Sequence, residues 1–137
     1  MNAADVNARV IEQFRAGGEI EGMHRDRLLL LTTTGRRSGE PRTTPVMRLR
    51  VGGTSYVVAS ANGADADPAW LRDLEADPRA HVEEAEGEYD ATARVLRGSA
   101  RSAAWSAIVE QAPFFAGHQD QVEREIPVVE LIRRSGA

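Results

Sequence analysis

Apolar positions recur along this chain with two different periods, and the changes between them predict its elements. Val6, Val10, Ile11 and Phe14 share one face of a helical repeat, with Asp5 placed to cap the helix and Gly17-Gly18 to end it. A polar connector, Gly22 to Asp26, leads into Leu28–Thr34, which reads as a buried strand because it is short, apolar and rich in Thr. Gly35 to Pro41 is a turn with Gly on both sides and Pro at its close. The next strand, Thr43 to Val51, alternates Met47, Leu49 and Val51 with Arg48 and Arg50. Gly52-Gly53 then makes a tight hairpin into a strand over Thr54–Ser60.

Past a small-residue loop at Asn62-Gly63, Asp67-Pro68 predicts a helix start, with the carboxylate as N-cap and Pro at the first helical position. Trp70, Leu71 and Leu74 carry that helix to Asp77-Pro78. Arg79–Glu84 and Tyr89–Leu96 read as strands joined by a turn at Glu86-Gly87-Glu88. Ser99 or Ser102 opens a helix with Ala104, Trp105, Ile108 and Val109 on its apolar face, and Pro113 breaks it. A short helix within Phe114–Glu125 and a strand over Ile126–Ile132 complete the chain. About six short strands joined by hairpins require antiparallel pairing, so the expected class is α+β with a barrel-like antiparallel sheet and flanking helices. A GxGxxG fingerprint is missing, which argues against a dinucleotide-binding doubly wound sheet.

Composition bounds the function. A chain of 137 residues with 42% hydrophobic and 28% charged positions suits one domain that needs no disulfide or metal to hold it. The absence of Cys excludes thiolate metal sites and cysteine nucleophiles, and His24, His81 and His118 have no metal-ligand spacing, so no metal is expected. The run Leu28–Leu31 is too short to span a membrane, and Met1–Asn7 lacks the basic and apolar regions of a leader, so a cytoplasmic protein is expected. Peripheral membrane association is left open, as is the choice between monomer and homodimer.

Charge is distributed unevenly. All 17 basic residues are Arg, and seven of them lie between His24 and Arg50 against only Asp26 and Glu40, a local net of +5 in a chain of net −4. An acidic chain with a concentrated arginine patch suits a small polyanion better than a nucleic acid. Within Thr32–Pro45 stand Arg36, Arg37, Arg42, Ser38 and two glycines, a combination that offers guanidinium forks and close backbone approach to phosphate or carboxylate. The same residues also fit a solvated hairpin tip. Ser60, Ala61, Asn62 and Gly63 precede the helix that begins near Ala69 and Trp70, where free N–H groups can attract an anion. Phe114, Phe115 and His118 follow Pro113 and make either a wall for a flat ligand or a helix packed on the barrel. Protein groups alone offer no acid–base pair, so chemistry here needs a bound cofactor.

The runs LLLLTTTGRRSGEPRTTPV, VVASANGADADPAW, LEADPRAHVE and REIPVVEL resemble the deazaflavin-dependent nitroreductase and quinone reductase family over about Leu28 to Leu131. The resemblance implies an FMN-binding-split-barrel-like fold, one deazaflavin-binding domain over 1–137, and hydride transfer from reduced coenzyme F420 to a quinone, nitroaromatic or activated alkene. It implies that Arg36, Arg37, Ser38 and Arg42 hold the phosphate and oligoglutamate tail. Thr43, Thr44, Pro45, Val46 and Met47 would run beside the ring. Ser60, Ala61, Asn62, Gly63, Ala69, Trp70, Leu71, Arg72 and Asp73 would close around the ring and its phosphate. Phe114, Phe115 and His118 would meet the acceptor, with His118 as a candidate catalytic donor. Nitroreducing members carry tyrosines at positions matching Met47, Ala112, Phe115 and His118, and none is Tyr here. Two alternatives stand beside this reading: an FMN-dependent oxidoreductase of the same fold, and a non-catalytic pocket for the cofactor or a lipid.

Overall fold

The computed structural model describes residues 3–20 and 24–134. It contains, in chain order, α1 (Ala3–Ala16), β1 (Leu28–Thr34), β2 (Pro41–Met47), β3 (Leu49–Val51), β4 (Thr54–Val58), α2 (Ala69–Ala76), β5 (Arg79–Glu84), β6 (Gly87–Val95), α3 (Gly98–Gln111), α4 (Phe114–Asp120) and β7 (Val128–Arg133). Two single-turn 3-10 helices, Arg25–Arg27 and Ala61–Gly63, sit between them. One antiparallel sheet runs in the order β2-β1-β5-β6-β7-β4-β3. Its two outer strands, β2 and β3, are separated in the chain by Arg48 alone, so the sheet curls until its ends meet at one bent segment. The architecture is an α+β split barrel.

The run of four leucines in β1 reflects burial on both faces. Leu29 and Leu31 point into the barrel with Val57, Leu71, Val82 and Val129. Leu28 and Leu30 pack outside it against Val10, Phe14 and Ile20, beneath α1. A third apolar cluster joins Leu49, Ile108, Ala112, Phe115 and Val128, which seats α3 and the start of α4 on the barrel. No helix among the described residues is long and apolar enough to cross a membrane.

Several boundaries differ from the sequence reading, each for a physical reason. The expected strand Thr43–Val51 breaks at Arg48, and that break raises the strand count to seven. Arg48 does not face water with Arg50. It is 8% exposed. Its Nε donates to the Asp26 carbonyl at 2.9 Å, and Nη1 and Nη2 donate to Glu86 at 2.6 and 3.1 Å. Asp67 does not cap α2. Pro68 occupies the N-cap position, and the Asp67 carboxylate instead accepts from Arg124 Nη1 at 2.7 Å. Neither Ser99 nor Ser102 opens α3, which starts at Gly98, and the Ser102 hydroxyl donates back to the Gly98 carbonyl. Gly22 of the predicted connector lies outside the described residues, while Arg25 donates to the carbonyls of Gln13, Phe14 and Gly18 and so satisfies the end of α1.

Candidate functional site

The β1–β2 hairpin carries the arginine-rich turn. Gly35 N–H donates to the Glu40 carbonyl at 2.9 Å and Gly39 N–H to the Gly35 carbonyl at 2.8 Å, which folds the turn tightly. Gly39 has φ +73°, a conformation that favours glycine. At Gly35 a Cβ would sit 2.6 Å from Ser38 Oγ, 3.2 Å from Arg42 Cδ and 3.3 Å from the Glu40 carbonyl, so a larger residue would have to displace these neighbours. Gly35→Ala is therefore expected to cost about 1–3 kcal/mol through overpacking. Thermal unfolding checks this, and adding Ser38→Ala should recover part of the loss.

Beneath the turn lies Asp73 of α2, 1% exposed. Arg36 donates to its Oδ1 from both the backbone N–H and Nη1, each at 3.1 Å. Arg42 Nη1 stands 3.8 Å from Oδ2, and the Thr33 hydroxyl is 3.5 Å from the same atom. A buried carboxylate thus tethers two guanidiniums whose outer edges remain in solvent, with side chains 27% and 55% exposed. Asp73 is a positioning residue behind the arginines rather than part of the surface they present. Arg37 and Ser38 are exposed on the same turn, where Ser38 Oγ accepts from Glu40 N–H at 3.1 Å.

One turn of α2 away from Asp73, Trp70 forms part of a cleft of about 330 Å³. Pro45, Val46 and Met47 of β2 make one side of it, Val58, Ser60 and Ala61 the floor, and Phe114, Phe115 and His118 of α4 the far side. Trp70 serves two purposes, packing in the barrel core at 8% exposure while presenting an edge to the cleft. The three α4 rings are mutually packed, with centroids 4.4 Å apart for Phe114–Phe115, 5.5 Å for Phe114–His118 and 5.8 Å for Phe115–His118. His118 Nδ1 is shielded from solvent and has no hydrogen-bond partner.

The floor is held from the segment after α4. Arg124 donates to the carbonyls of Ala59, Ser60 and Ala64 as well as to Asp67, which pins the loop around the Ala61–Gly63 turn. Ala61 sits at φ +49°, a conformation that costs a non-glycine residue about 1–3 kcal/mol and that this clamp enforces. Sequence reading did not place Arg124 in the site, although it opens the run REIPVVEL, because a lone Arg between Glu123 and Glu125 does not reveal which distant carbonyls it reaches. It also missed Val58, although the alternation of β4 places Val58 on the face of Tyr56, opposite the barrel-facing Val57.

The remaining predicted residues divide. Thr44 is half-buried on β2, and Thr43 pairs its hydroxyl with Thr32 at 2.8 Å. Asn62 and Gly63 lie in the pinned turn, where Gly63 has φ +81°. Ala69 and Arg72 are exposed on α2. Leu71 is fully enclosed in the barrel core, so its side chain has no surface to offer a ligand.

Along β2, Arg42 precedes Val46 by four residues, about 13 Å of extended strand. A cleft lined mostly by apolar and aromatic side chains, with cations one strand-length away, suits a ring system that carries an anionic tail. The curled barrel and this cleft together define a split-barrel protein with a binding site between β2 and α4. The chain belongs to the F420H(2)-dependent quinone reductase family, whose model matches residues 5–132. The F420H(2)-dependent quinone reductase Rv1261c of Mycobacterium tuberculosis is 33% identical over 109 residues, covering 77% of this chain and 73% of that protein. A solved F420-H2 dependent reductase, FDR-A, is 35% identical with a TM-score of 0.71, over 80% of this chain and 99% of its own. A solved domain-swapped dimer is 34% identical with a TM-score of 0.73, over 88% and 92%. The family's cofactor is coenzyme F420, and its members are oxidoreductases acting on small molecules.

Proposed function

We propose that this chain is a cytoplasmic F420H2-dependent reductase, one deazaflavin-binding domain over 1–137, that passes a hydride to a small hydrophobic quinone, nitroaromatic or activated alkene. The observation that carries the reading is the pairing of an aromatic-lined cleft with the Asp73-tethered arginines at the start of β2 and the turn before it. The donor set fits the cofactor's chemistry: guanidiniums with exposed edges match a phosphodiester and several carboxylates, while the apolar cleft matches a ring. When bound, the reduced deazaflavin supplies the hydride. Arg36, Arg37 and Arg42 hold its anionic groups, and Val46, Met47 and Trp70 flank the ring. Phe114 and Phe115 keep water from the acceptor and hold it flat, which is the main catalytic contribution open to the protein. His118 lines the acceptor side of the cleft, where its imidazole donates to the acceptor oxygen as negative charge builds there.

Two measurements test this. Titration should show tight binding of F420 and poor binding of FMN, whose single phosphate leaves most of the arginine cluster unused. Anaerobic mixing of the loaded protein with quinones, nitroaromatics and enones should oxidise the reduced deazaflavin, and a panel with no oxidation at all would overturn the reading. His118→Ala is expected to lower turnover several-fold to tenfold while F420 affinity stays the same. Undiminished turnover would leave water as the proton source.

A further inference from the structure

A second cavity, about 180 Å³, is lined by Arg27, Met47, Arg48, Leu49, Gln111 and Ala112. Met47 lines both this cavity and the cleft, so the two adjoin at one flexible side chain. The second cavity differs from the cleft in charge. Arg48 is taken up by Glu86 and the Asp26 carbonyl, and Gln111 donates its amide to the Arg50 carbonyl at 2.9 Å. Arg27 is fixed through its backbone: its N–H donates to the His24 carbonyl at 3.0 Å and its carbonyl accepts from Arg48 N–H at 2.8 Å. Its guanidinium has no ion pair or hydrogen bond among the described residues.

Position decides which ligand this cation meets. β2 runs from Arg42 at the tail-binding turn to Met47, about 17 Å along the strand. The second cavity therefore lies at the opposite end of the cleft from the Arg36–Arg42 pair, on the acceptor's side of the ring in the function proposed above, on which this inference rests. Its volume matches about six waters, enough for a short chain ending in a carboxylate.

We propose that the Arg27 cavity is the far end of the acceptor site and selects acceptors whose flat ring carries a short side chain ending in a carboxylate. The ring lies in the cleft, the chain passes Met47, and the carboxylate accepts from the Arg27 guanidinium.

The test compares a naphthoquinone bearing a three-carbon carboxylate chain with its methyl ester, on the full chain loaded with F420. Binding is read by quenching of tryptophan fluorescence, since Trp70 lines the cleft; turnover is read separately. The acid is expected to bind about tenfold more tightly than the ester, and Arg27→Gln should bring the two to equal affinity, with Arg27→Lys keeping part of the gap. An acid-to-ester ratio that is the same in wild type and Arg27→Gln would overturn the inference. Selective binding without deazaflavin oxidation would support the Arg27 subsite and overturn the reductase reading instead.

Discussion

Arg48→Ala is expected to lower the unfolding temperature by roughly 10–15 °C. The guanidinium closes a buried polar network at the corner between β2 and β3. Nη1 lies 3.7 Å from Glu84, which is 6% exposed and accepts from the Ser55 hydroxyl at 2.6 Å. Removing the arginine strands Glu84 as a buried carboxylate and leaves the Asp26 carbonyl without its donor. Breaking a buried pair in this way costs about 3–5 kcal/mol, a large part of a small domain's stability. Glu86 adds a pH signature. The Arg48 hydrogen bond holds its carboxyl below the usual carboxylate range. A depressed folded-state pKa gives stability that is present above the unfolded value, near 4.3, and is lost as pH falls through the folded one. The acid limb of the stability curve should therefore flatten in Arg48→Ala. The double variant Arg48→Met with Glu84→Gln should recover much of the loss, because an apolar side chain beside a neutral one leaves no buried charge unpaired. Unfolding curves that coincide for wild type and Arg48→Ala would refute the account.

Arg48 also marks where the sequence stops being legible. The alternation of Met47, Leu49 and Val51 with two arginines is what a half-exposed strand looks like, and a corner between two strands carries the same letters. What buries Arg48 is Glu84 and Glu86, residues nearly forty positions away whose approach depends on the sheet closing. Asp67 failed for a similar reason: its side chain satisfies the capping pattern, and a distant arginine claims it. By contrast, Leu28–Thr34 is set by a short apolar, Thr-rich run and Arg79–Glu84 by local alternation, each with flanking turns, and their bounds match the sequence reading. Gly52-Gly53 was readable too, because both residues adopt the positive φ that a two-residue hairpin of this kind demands.

The cleft was more legible than the cation site. Pro45, Val46, Met47, Ser60, Ala61 and Trp70 come from two motifs recognisable as strings, and the fold brings them together with the α4 aromatics. The roles of Arg36 and Asp73 could not be told apart by sequence. Both stand in recognisable motifs, yet only three dimensions reveal that Asp73 lies behind the arginine rather than beside it. That arrangement sets what each arginine variant does.

Arg37→Ala with Arg42→Ala is expected to weaken F420 binding about a hundredfold while leaving the unfolding temperature within a few degrees of wild type. Each lost charge-assisted contact to phosphate or carboxylate removes about 1.5 kcal/mol at least, and both side chains are exposed, so little packing is lost with them. The deficit should shrink as salt rises, since screening weakens the same attraction in wild type. Arg36→Ala should behave differently, because it removes the Nη1 donor from a carboxylate that is 1% exposed and leaves only the backbone N–H and two longer contacts. Weaker binding and a lower unfolding temperature are expected together in that variant. Asp73→Asn separates the two effects: the amide keeps the shape and removes the charge that tethers both guanidiniums, so F420 affinity should fall although no cation has been deleted. Calorimetric titration of F420 alongside thermal unfolding reads both quantities on the same samples. Unchanged affinity in both the Arg37/Arg42 variant and Asp73→Asn would remove the β1–β2 turn from the cofactor site, and the tail would then have to lie elsewhere on the barrel.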